Sequence, residues 1–208
     1  MKAFKNYLFL YIVILPKWVS IGSYALGQTQ TMVSVSPSSM TVQPSFTTAI
    51  EVRVNNVENL FAASVTLAFD STILHYSSVI GGSFLRKNDI NSVFLGVVPQ
   101  PPLPTAPNRV TVDQAIQGGG TVSGSGILFT VLFTALRSGS CPIIIASSDF
   151  RNGLNTSIPT QTISGKVIVN QSPLITSSPV LTALTNQSYQ YQVQGRDPDG
   201  DTLSYSLI

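Results

Sequence analysis

The sequence has very few of the residues that build metal, disulfide and acid–base sites. Its 208 residues include one cysteine, Cys141, and one histidine, His75. One Cys and one His cannot fill a tetrahedral zinc shell, and Cys141 has no partner for a disulfide within the chain. Charged residues make up only 10% of the chain, which argues against a disordered acidic or basic tail. We therefore expect Cys141 to be a buried, small apolar side chain.

Catalytic groups are scarce as well. A hydrolase needs a positioned carboxylate pair, or a nucleophile with a base. No two carboxylates between residues 28 and 170 form such a motif; they are Glu51, Glu58, Asp70, Asp89, Asp113 and Asp149. His75 lies between Leu74 and Tyr76 and is expected to be a partly buried strand residue. The sequence indicates a protein that is not an enzyme.

Basic residues are not concentrated outside the N-terminal segment. Three of the eleven Lys and Arg residues lie in the first 17 positions, which leaves eight basic against nine acidic residues from Gln28 onward. Nucleic-acid binding needs clustered basic side chains that neutralise phosphates. We therefore expect no nucleic-acid partner.

Residues 1–27 have the composition of a secretory signal peptide. Lys2 and Lys5 give a positive start, residues 7–15 form an apolar core, and small residues precede a cleavage point before Gln28. The core is much shorter than the roughly 20 residues that span a bilayer. The sequence predicts a secreted or cell-surface protein with no membrane span in the mature chain.

The main part of the chain alternates apolar and polar residues with a period of two. Residues 50–54 and 65–69 both follow this pattern, which places one set of side chains in a core and the other toward water. Further apolar runs are residues 92–98, 109–115, 126–135, 142–146 and 166–169. Predicted turns are Asn55-Asn56, Gly81-Gly82, Gly118-Gly119-Gly120 and Asn152-Gly153. No convincing amphipathic helix is present, so we predict an all-β antiparallel sandwich.

The segment around Asp70 illustrates this pattern. Leu67 and Phe69 are expected to face the core, and Asp70 to leave the strand and cap the turn that follows. Leu74 then returns to the interior. Gly124 is expected to let a long strand bend.

Residues 32–169 resemble a cohesin domain, the receptor half of the cohesin–dockerin pair that assembles polysaccharide-degrading complexes. The resemblance follows the order of short motifs along the whole region. They are residues 50–54, Val57-Glu-Asn-Leu60, residues 65–74 with Phe69-Asp70, the Gly-led residues 124–133, Ser148-Asp-Phe-Arg-Asn-Gly153 and Gly165-Lys-Val-Ile-Val169. It implies a nine-stranded jelly-roll β-sandwich, here spanning residues 28–170.

The resemblance also implies a partner-binding strand, with one departure. Dockerin-binding cohesins of the best-known class carry a polar Asn–x–Asp pair before the Asp, and these positions are Ala62 and Ser64 here. We predict the outward face of this strand, with Ala62, Ser64 and Thr66, as the partner-binding face. A polysaccharide is the other candidate ligand, with Tyr76 and Phe94 as candidate stacking residues.

Residues 171–208 differ in composition and resemble the start of a bacterial Ig- or cadherin-like repeat. Strands are predicted at residues 180–184, 189–193 and 203–207. A sandwich of this type needs about seven strands, so the sequence predicts an incomplete second domain.

Three carboxylates crowd together near the C-terminal end. Asp197, Asp199 and Asp201 lie within five residues, and Ca²⁺ prefers such oxygen ligands. The pattern is not an EF-hand loop, because Thr202 and Ile208 stand where that loop needs Gly and Glu. The alternatives are a calcium site and an Asp-Pro-Asp-Gly turn.

Two classes of function remain open. The first is a secreted, non-catalytic recognition module that binds a dockerin-bearing protein or a polysaccharide in extracellular polysaccharide degradation. The second is a structural spacer in a bacterial cell-surface or adhesin protein. The resemblance favours recognition, whereas Ala62, Ser64 and the appended repeat favour the spacer.

Overall fold

The computed structural model describes residues 30–86, 93–100 and 108–206. The predicted signal peptide and the side chain of Phe94 lie outside the described residues. The strands are β1 (Thr31–Ser36), β2 (Ser39–Val42), β3 (Thr47–Phe69), β4 (Leu74–Gly81), β5 (Val93–Gln100), β6 (Asn108–Ile116), β7 (Val122–Ala135), β8 (Gly139–Asn152), β9 (Ser157–Ile158), β10 (Thr160–Ile163), β11 (Gly165–Val169), β12 (Leu174–Ile175) and β13 (Gly195–Arg196). A 3₁₀ turn, Phe84–Arg86, is the only helical segment in these ranges.

One strongly curled sheet forms both layers of the sandwich, because β3 takes part in each. The first part of β3 pairs with β7 and β1, giving a layer in the order β4-β7-β3-β1-β10. Its second part pairs with β6 and β8, giving a layer in the order β5-β6-β3-β8-β11-β2. The all-β sandwich prediction is confirmed, with eleven strands in the described part of the sandwich rather than the nine implied by the resemblance. The pairs β1–β10 and β2–β11 are parallel, so the sandwich is not wholly antiparallel as predicted.

The passage of β3 from one layer to the other overturns one prediction. A turn is predicted at Asn55-Asn56, but the strand continues through it. Asn56 and Asn59 have φ of +56° and +52°, and the ladder with β7 shifts register beside both. The amides of Asn56 and Asn59 donate to Ser125 Oγ (3.0 Å) and Ser123 Oγ (2.9 Å). Asn tolerates the left-handed region, so these bulges bend the strand without breaking it.

The core lies between the layers and follows the predicted alternation. Val65 and Leu67 are fully buried, and Phe69 is 3% exposed. The Phe69 and Phe133 rings meet edge to face with centroids 4.9 Å apart. Cys141 is also buried in this core, and burial raises the pKa of its thiol. Each fully buried Val, Leu or Phe side chain contributes about 1.5–3 kcal/mol to the free energy of unfolding.

The Asp70 turn forms as predicted. Asp70 Oδ1 accepts hydrogen bonds from Thr72 Oγ1 (2.7 Å) and Thr72 N (2.8 Å), and the Leu74 amide donates to the Asp70 carbonyl (2.9 Å). These two bonds from Thr72, with the nearby Arg137 guanidinium, lower the pKa of Asp70. The turn closes the end of the sandwich where β3 passes to β4.

Two glycines allow the 3₁₀ turn to pack against β7. A Cβ on Gly82 would collide with the Ile127 carbonyl oxygen, and one on Gly126 would lie 2.8 Å from Phe84 Cδ2. No larger side chain fits at these distances. Phe84 and Leu85 are thereby buried against the sandwich.

The C-terminal segment, residues 171–206, contrasts with the sandwich. The strands predicted at 180–184, 189–193 and 203–207 do not form in the described residues; only β12 and β13 pair there. Alternation makes a strand only where a neighbouring strand satisfies its backbone amides and carbonyls. Eight large hydrophobic side chains are exposed: Leu174, Ile175, Val180, Leu181, Leu184, Tyr189, Val193 and Tyr205.

Candidate partner-binding face

The predicted residues Ala62, Ser64 and Thr66 lie together on the outer side of the second layer. Each is half-buried, and the residues between them are buried in the core. Their strand is central, between β6 and β8. We call the outer surface of these three strands the β3 face.

The register fixes which side chains surround them. Four cross-strand rows run over β3, from β8 to β6. They are Arg151–Ala62–Ala115, Asp149–Ser64–Asp113, Ser147–Thr66–Thr111 and Ile144–Ala68–Arg109. Residues paired directly across strands project from the same side of the sheet. The β3 face therefore carries small side chains along its centre, charged and hydroxyl groups on both sides, and the exposed Ile144 at one end.

Some polar side chains on this face pair with one another. The hydroxyls of Thr66 and Thr111 bond at 2.8 Å. Arg151 donates to Asp149 Oδ2 from Nη2 (2.9 Å) and Nε (3.2 Å). Both members of this ion pair are well exposed, so it contributes at most about 1 kcal/mol. Within the described ranges, no cation forms an ion pair with Asp113.

Asp113 and Asp149 are the residues that sequence reasoning missed. Each belongs to a strand with visible alternation, which indicates that its side chain points outward. Alternation along a strand does not show which residues stand opposite one another. Only the pairing of β6 and β8 with β3 brings both carboxylates beside Ser64.

The aromatic candidates for glycan stacking do not form a row on the β3 face. Tyr76 lies on β4 in the other layer and packs half-buried against the core. This burial raises the pKa of its hydroxyl. The backbone of Phe94 pairs with Ala115 at the edge of the β3 face, but its side chain is outside the described residues.

His75 is exposed on β4, opposite Thr134, rather than partly buried as predicted. The edge position of β4 leaves the outer side of this residue uncovered. No carboxylate of the described part of the chain forms an ion pair with it. A cavity of about 610 Å³ lies between Gly81–Phe84 and Ser125–Gly126, and Arg86 is the one charged residue among the described residues that line it.

The aspartates at 197, 199 and 201 form a turn. Asp197 Oδ1 accepts hydrogen bonds from the amides of Asp199 (2.8 Å) and Asp201 (3.4 Å), and Gly200 N donates to the Asp197 carbonyl (3.2 Å). Among the residues described, no three His, Cys, Asp or Glu side chains are grouped to hold a metal. The turn alternative is observed, and calcium stays a prediction.

No helix in the ranges that the structure covers is long and apolar enough to cross a membrane.

A comparison with family models identifies the sandwich. The model described as "Cohesin domain" matches residues 33–169, about two thirds of the chain. The chain belongs to the cohesin domain family. Cohesin domains are non-catalytic interaction modules. The assignment of residues 171–208 to an Ig- or cadherin-like repeat stays a prediction.

Solved cohesin structures share the fold of this domain. The non-cellulosomal cohesin from the hyperthermophilic archaeon Archaeoglobus fulgidus is 19% identical, with 68% of this chain and 92% of that chain covered and a TM-score of 0.53. The sixth cohesin of scaffoldin B from Acetivibrio cellulolyticus, solved in complex with a Cel5 dockerin mutant, is 16% identical, with coverages of 68% and 99% and a TM-score of 0.54. The Coh-OlpA–Doc918 complex from Clostridium thermocellum gives 15% identity, coverages of 67% and 99%, and a TM-score of 0.54.

These similarities confirm the jelly-roll prediction for the fold of the sandwich. A comparison with curated protein sequences gives no match.

Proposed function

We propose that this cohesin domain is a secreted recognition module whose β3 face binds a dockerin-bearing protein in extracellular polysaccharide degradation. The observation that carries the proposal is the surface itself. Three central strands present a face of small side chains, Ala62, Ser64 and Ala115, bordered by the carboxylates of Asp113 and Asp149. Such a surface allows close approach of another backbone and offers hydrogen-bond acceptors.

The family supports a protein partner. Solved cohesins with the same fold include complexes with dockerins, as the names of the Acetivibrio cellulolyticus and Clostridium thermocellum structures state. The N-terminal signal-like segment supports secretion, because its apolar core suits export and is too short for a membrane span.

A polysaccharide ligand is less well supported. Sugar rings bind to proteins largely through apolar aromatic faces and a few placed polar groups. No aromatic side chain described by the structure lies exposed on the β3 face, and Tyr76 packs against the core of the other layer.

A structural spacer is the second candidate function, and contacts of the C-terminal segment favour it. Gln43 Nε2, at the end of the sandwich, donates to Ser172 Oγ (2.6 Å). With its side-chain amide turned so that the nitrogen faces them, Asn170 donates to Asp199 Oδ2 and Asp201 Oδ2, both at 3.1 Å. These bonds tie the segment to the end of the sandwich, as a spacer requires.

The test is capture of secreted proteins of the source organism on immobilised residues 28–208. In calcium, we expect recovery of a protein whose sequence contains a dockerin, and its release by chelator. Thr66→Arg places a long cation at the centre of the β3 face and should weaken this binding at least about 30-fold.

Thr47→Arg is the matched control. Thr47 also contacts a threonine hydroxyl across strands, that of Thr134 at 3.4 Å, but on the outer side of the other layer. The Thr47→Arg variant should bind the partner as the wild type does. Beads that recover no dockerin-bearing protein would favour the spacer, and equal binding by Thr66→Arg would show that the face is wrong.

A further inference from the structure

Three asparagines of the chain stand in the pattern Asn-x-Ser, with a residue other than proline in the middle. They are Asn155-Thr156-Ser157, Asn170-Gln171-Ser172 and Asn186-Gln187-Ser188. In secreted proteins this tripeptide is the acceptor for N-linked glycans, which are bulky and lie on the surface. The pattern treats the three positions as equal, whereas their surroundings in the structure differ.

Asn155 and Asn186 are exposed and lie in turns. The amide of Asn155 donates to the Asn152 carbonyl (2.9 Å) in the loop that joins β8 to β9. Asn186 lies in a turn that is closed by the bond from Gln187 N to the Leu184 carbonyl (3.2 Å). Among the described residues, neither asparagine side chain has a hydrogen-bond partner. Both side-chain nitrogens are therefore open to a modifying enzyme.

Asn170 differs from these two because it is half-buried directly after β11. Its backbone amide donates to the Val42 carbonyl (2.9 Å). Its side-chain nitrogen, in the orientation given above, donates to the carboxylates of Asp199 and Asp201, both at 3.1 Å. A glycan on this nitrogen would occupy the space of both contacts, so it is incompatible with the folded chain.

The turns explain the asparagines but not the serines two positions later. The asparagines of the β3 bulges have the same left-handed backbone conformation as Asn155 and Asn186, which asparagine tolerates. In the bulges, the residue two positions after the asparagine is Glu58 or Phe61. The acceptor pattern thus accompanies this conformation in the two exposed turns and is missing where the same conformation is built into a strand.

We propose that Asn155 and Asn186 carry N-linked glycans in the secreted protein and that Asn170 does not. The donor is a lipid-linked oligosaccharide, and a bond forms between the asparagine Nδ2 and the anomeric carbon of the first sugar. The bond from that carbon to the lipid phosphate breaks, and the phosphate leaves with the electron pair. The amide nitrogen loses one proton to a base of the transferring enzyme.

Each glycan would lie beside an exposed leucine. Leu154 is 88% exposed and Leu184 is 69% exposed, so the sugars cover apolar surface that would otherwise meet water. The inference rests on the secretion that the proposed function includes, and it is independent of dockerin binding.

The experiment is mass spectrometry of peptides from the protein that its source organism secretes. Cleavage after Lys and Arg leaves Asn155 in residues 152–166, and Asn170 and Asn186 together in residues 167–196. We expect one glycan on each of these two peptides. Ser157→Ala keeps the asparagine and its turn but removes the pattern, so the first peptide should lose its glycan. Ser157→Thr should keep the glycan, because threonine also completes the pattern.

Ser172→Ala and Ser188→Ala are the matched pair for the second peptide. Ser188→Ala should remove its glycan and Ser172→Ala should leave it in place. Unmodified peptides from the secreted protein would overturn the inference, and so would a glycan that is lost in Ser172→Ala and kept in Ser188→Ala. Secretion is read separately from a mature N-terminus at Gln28, and dockerin binding from the capture experiment, so failure of the proposed function is distinguished from failure of this inference.

Discussion

The sandwich and the C-terminal segment share a sequence pattern but differ in structure. Residues 65–69 and residues 189–193 both alternate, yet the first run is a central strand and the second forms no strand. The difference is the presence of neighbours. β6 and β8 pair with residues 65–69 on both edges, whereas no described strand pairs with residues 189–193. Alternation determines which side chains share a face, and pairing decides whether the strand exists.

Burial separates the two regions in the same way. The sandwich contains all the buried hydrophobic residues of the described chain. The C-terminal segment is much shorter, yet among the described residues it contributes eight exposed large hydrophobic side chains and the sandwich contributes seven. The sandwich therefore holds the stability of the protein, and changes in the two regions should have unequal effects.

The largest expected effect is a matched pair of leucine substitutions. Leu67 is fully buried and Leu181 is 90% exposed. Leu67→Ala should lower the free energy of unfolding by about 2–5 kcal/mol through lost burial and a cavity. Leu181→Ala should change it by less than about 0.5 kcal/mol. Denaturant unfolding of both variants measures this, and equal losses would mean that the C-terminal segment also has a core.

The second comparison uses two aspartate turns. Asp70 and Asp197 each accept the amide of the residue two positions on. Asp70→Ala should lower the free energy of unfolding of the sandwich by about 0.5–1 kcal/mol at pH 7, the usual cost of losing such a cap. Asp197→Ala should leave unfolding of the sandwich unchanged, because its turn lies in the other region.

The Asp70 effect should depend on pH in a defined direction. Its pKa is lowered in the folded state, so its contribution is present above the unfolded pKa of about 3.9 and is lost as pH falls through the folded value. Wild type and Asp70→Ala should therefore converge in stability below about pH 4. A difference that stays constant from pH 7 to pH 3 would show that the carboxylate charge is not what stabilises the turn.

The smallest effect concerns calcium at Asp197, Asp199 and Asp201. If the sequence-based prediction holds, calcium should slow amide exchange in residues 195–201 and leave the exchange of β3 unchanged. Hydrogen exchange with calcium and with chelator measures both at once. Equal exchange in the two conditions would leave the hydrogen-bonded turn as the whole role of these residues.

Local features of the sandwich were predictable because short-range chemistry decides them. The inward side chains of Leu67 and Phe69, the outward side chain of Thr66 and the Asp70 turn follow from alternation and a carboxylate beside free amides. The prediction of a turn at Asn55-Asn56 is wrong, because asparagine also suits a bulge within a strand. The serine hydroxyls of β7 that stabilise this bulge are distant in sequence.

The sequence by itself determined the class of fold, the inward and outward faces of the sandwich strands, and the strand carrying Ala62, Ser64 and Thr66. A period of two is enough for this, since each residue's side is set by its neighbours along the chain. The tertiary structure alone decided that Asp113 and Asp149 flank Ser64. Strands distant in sequence acquire their register through core packing and backbone hydrogen bonds, so the charge of the β3 face appears only when the sheet is assembled.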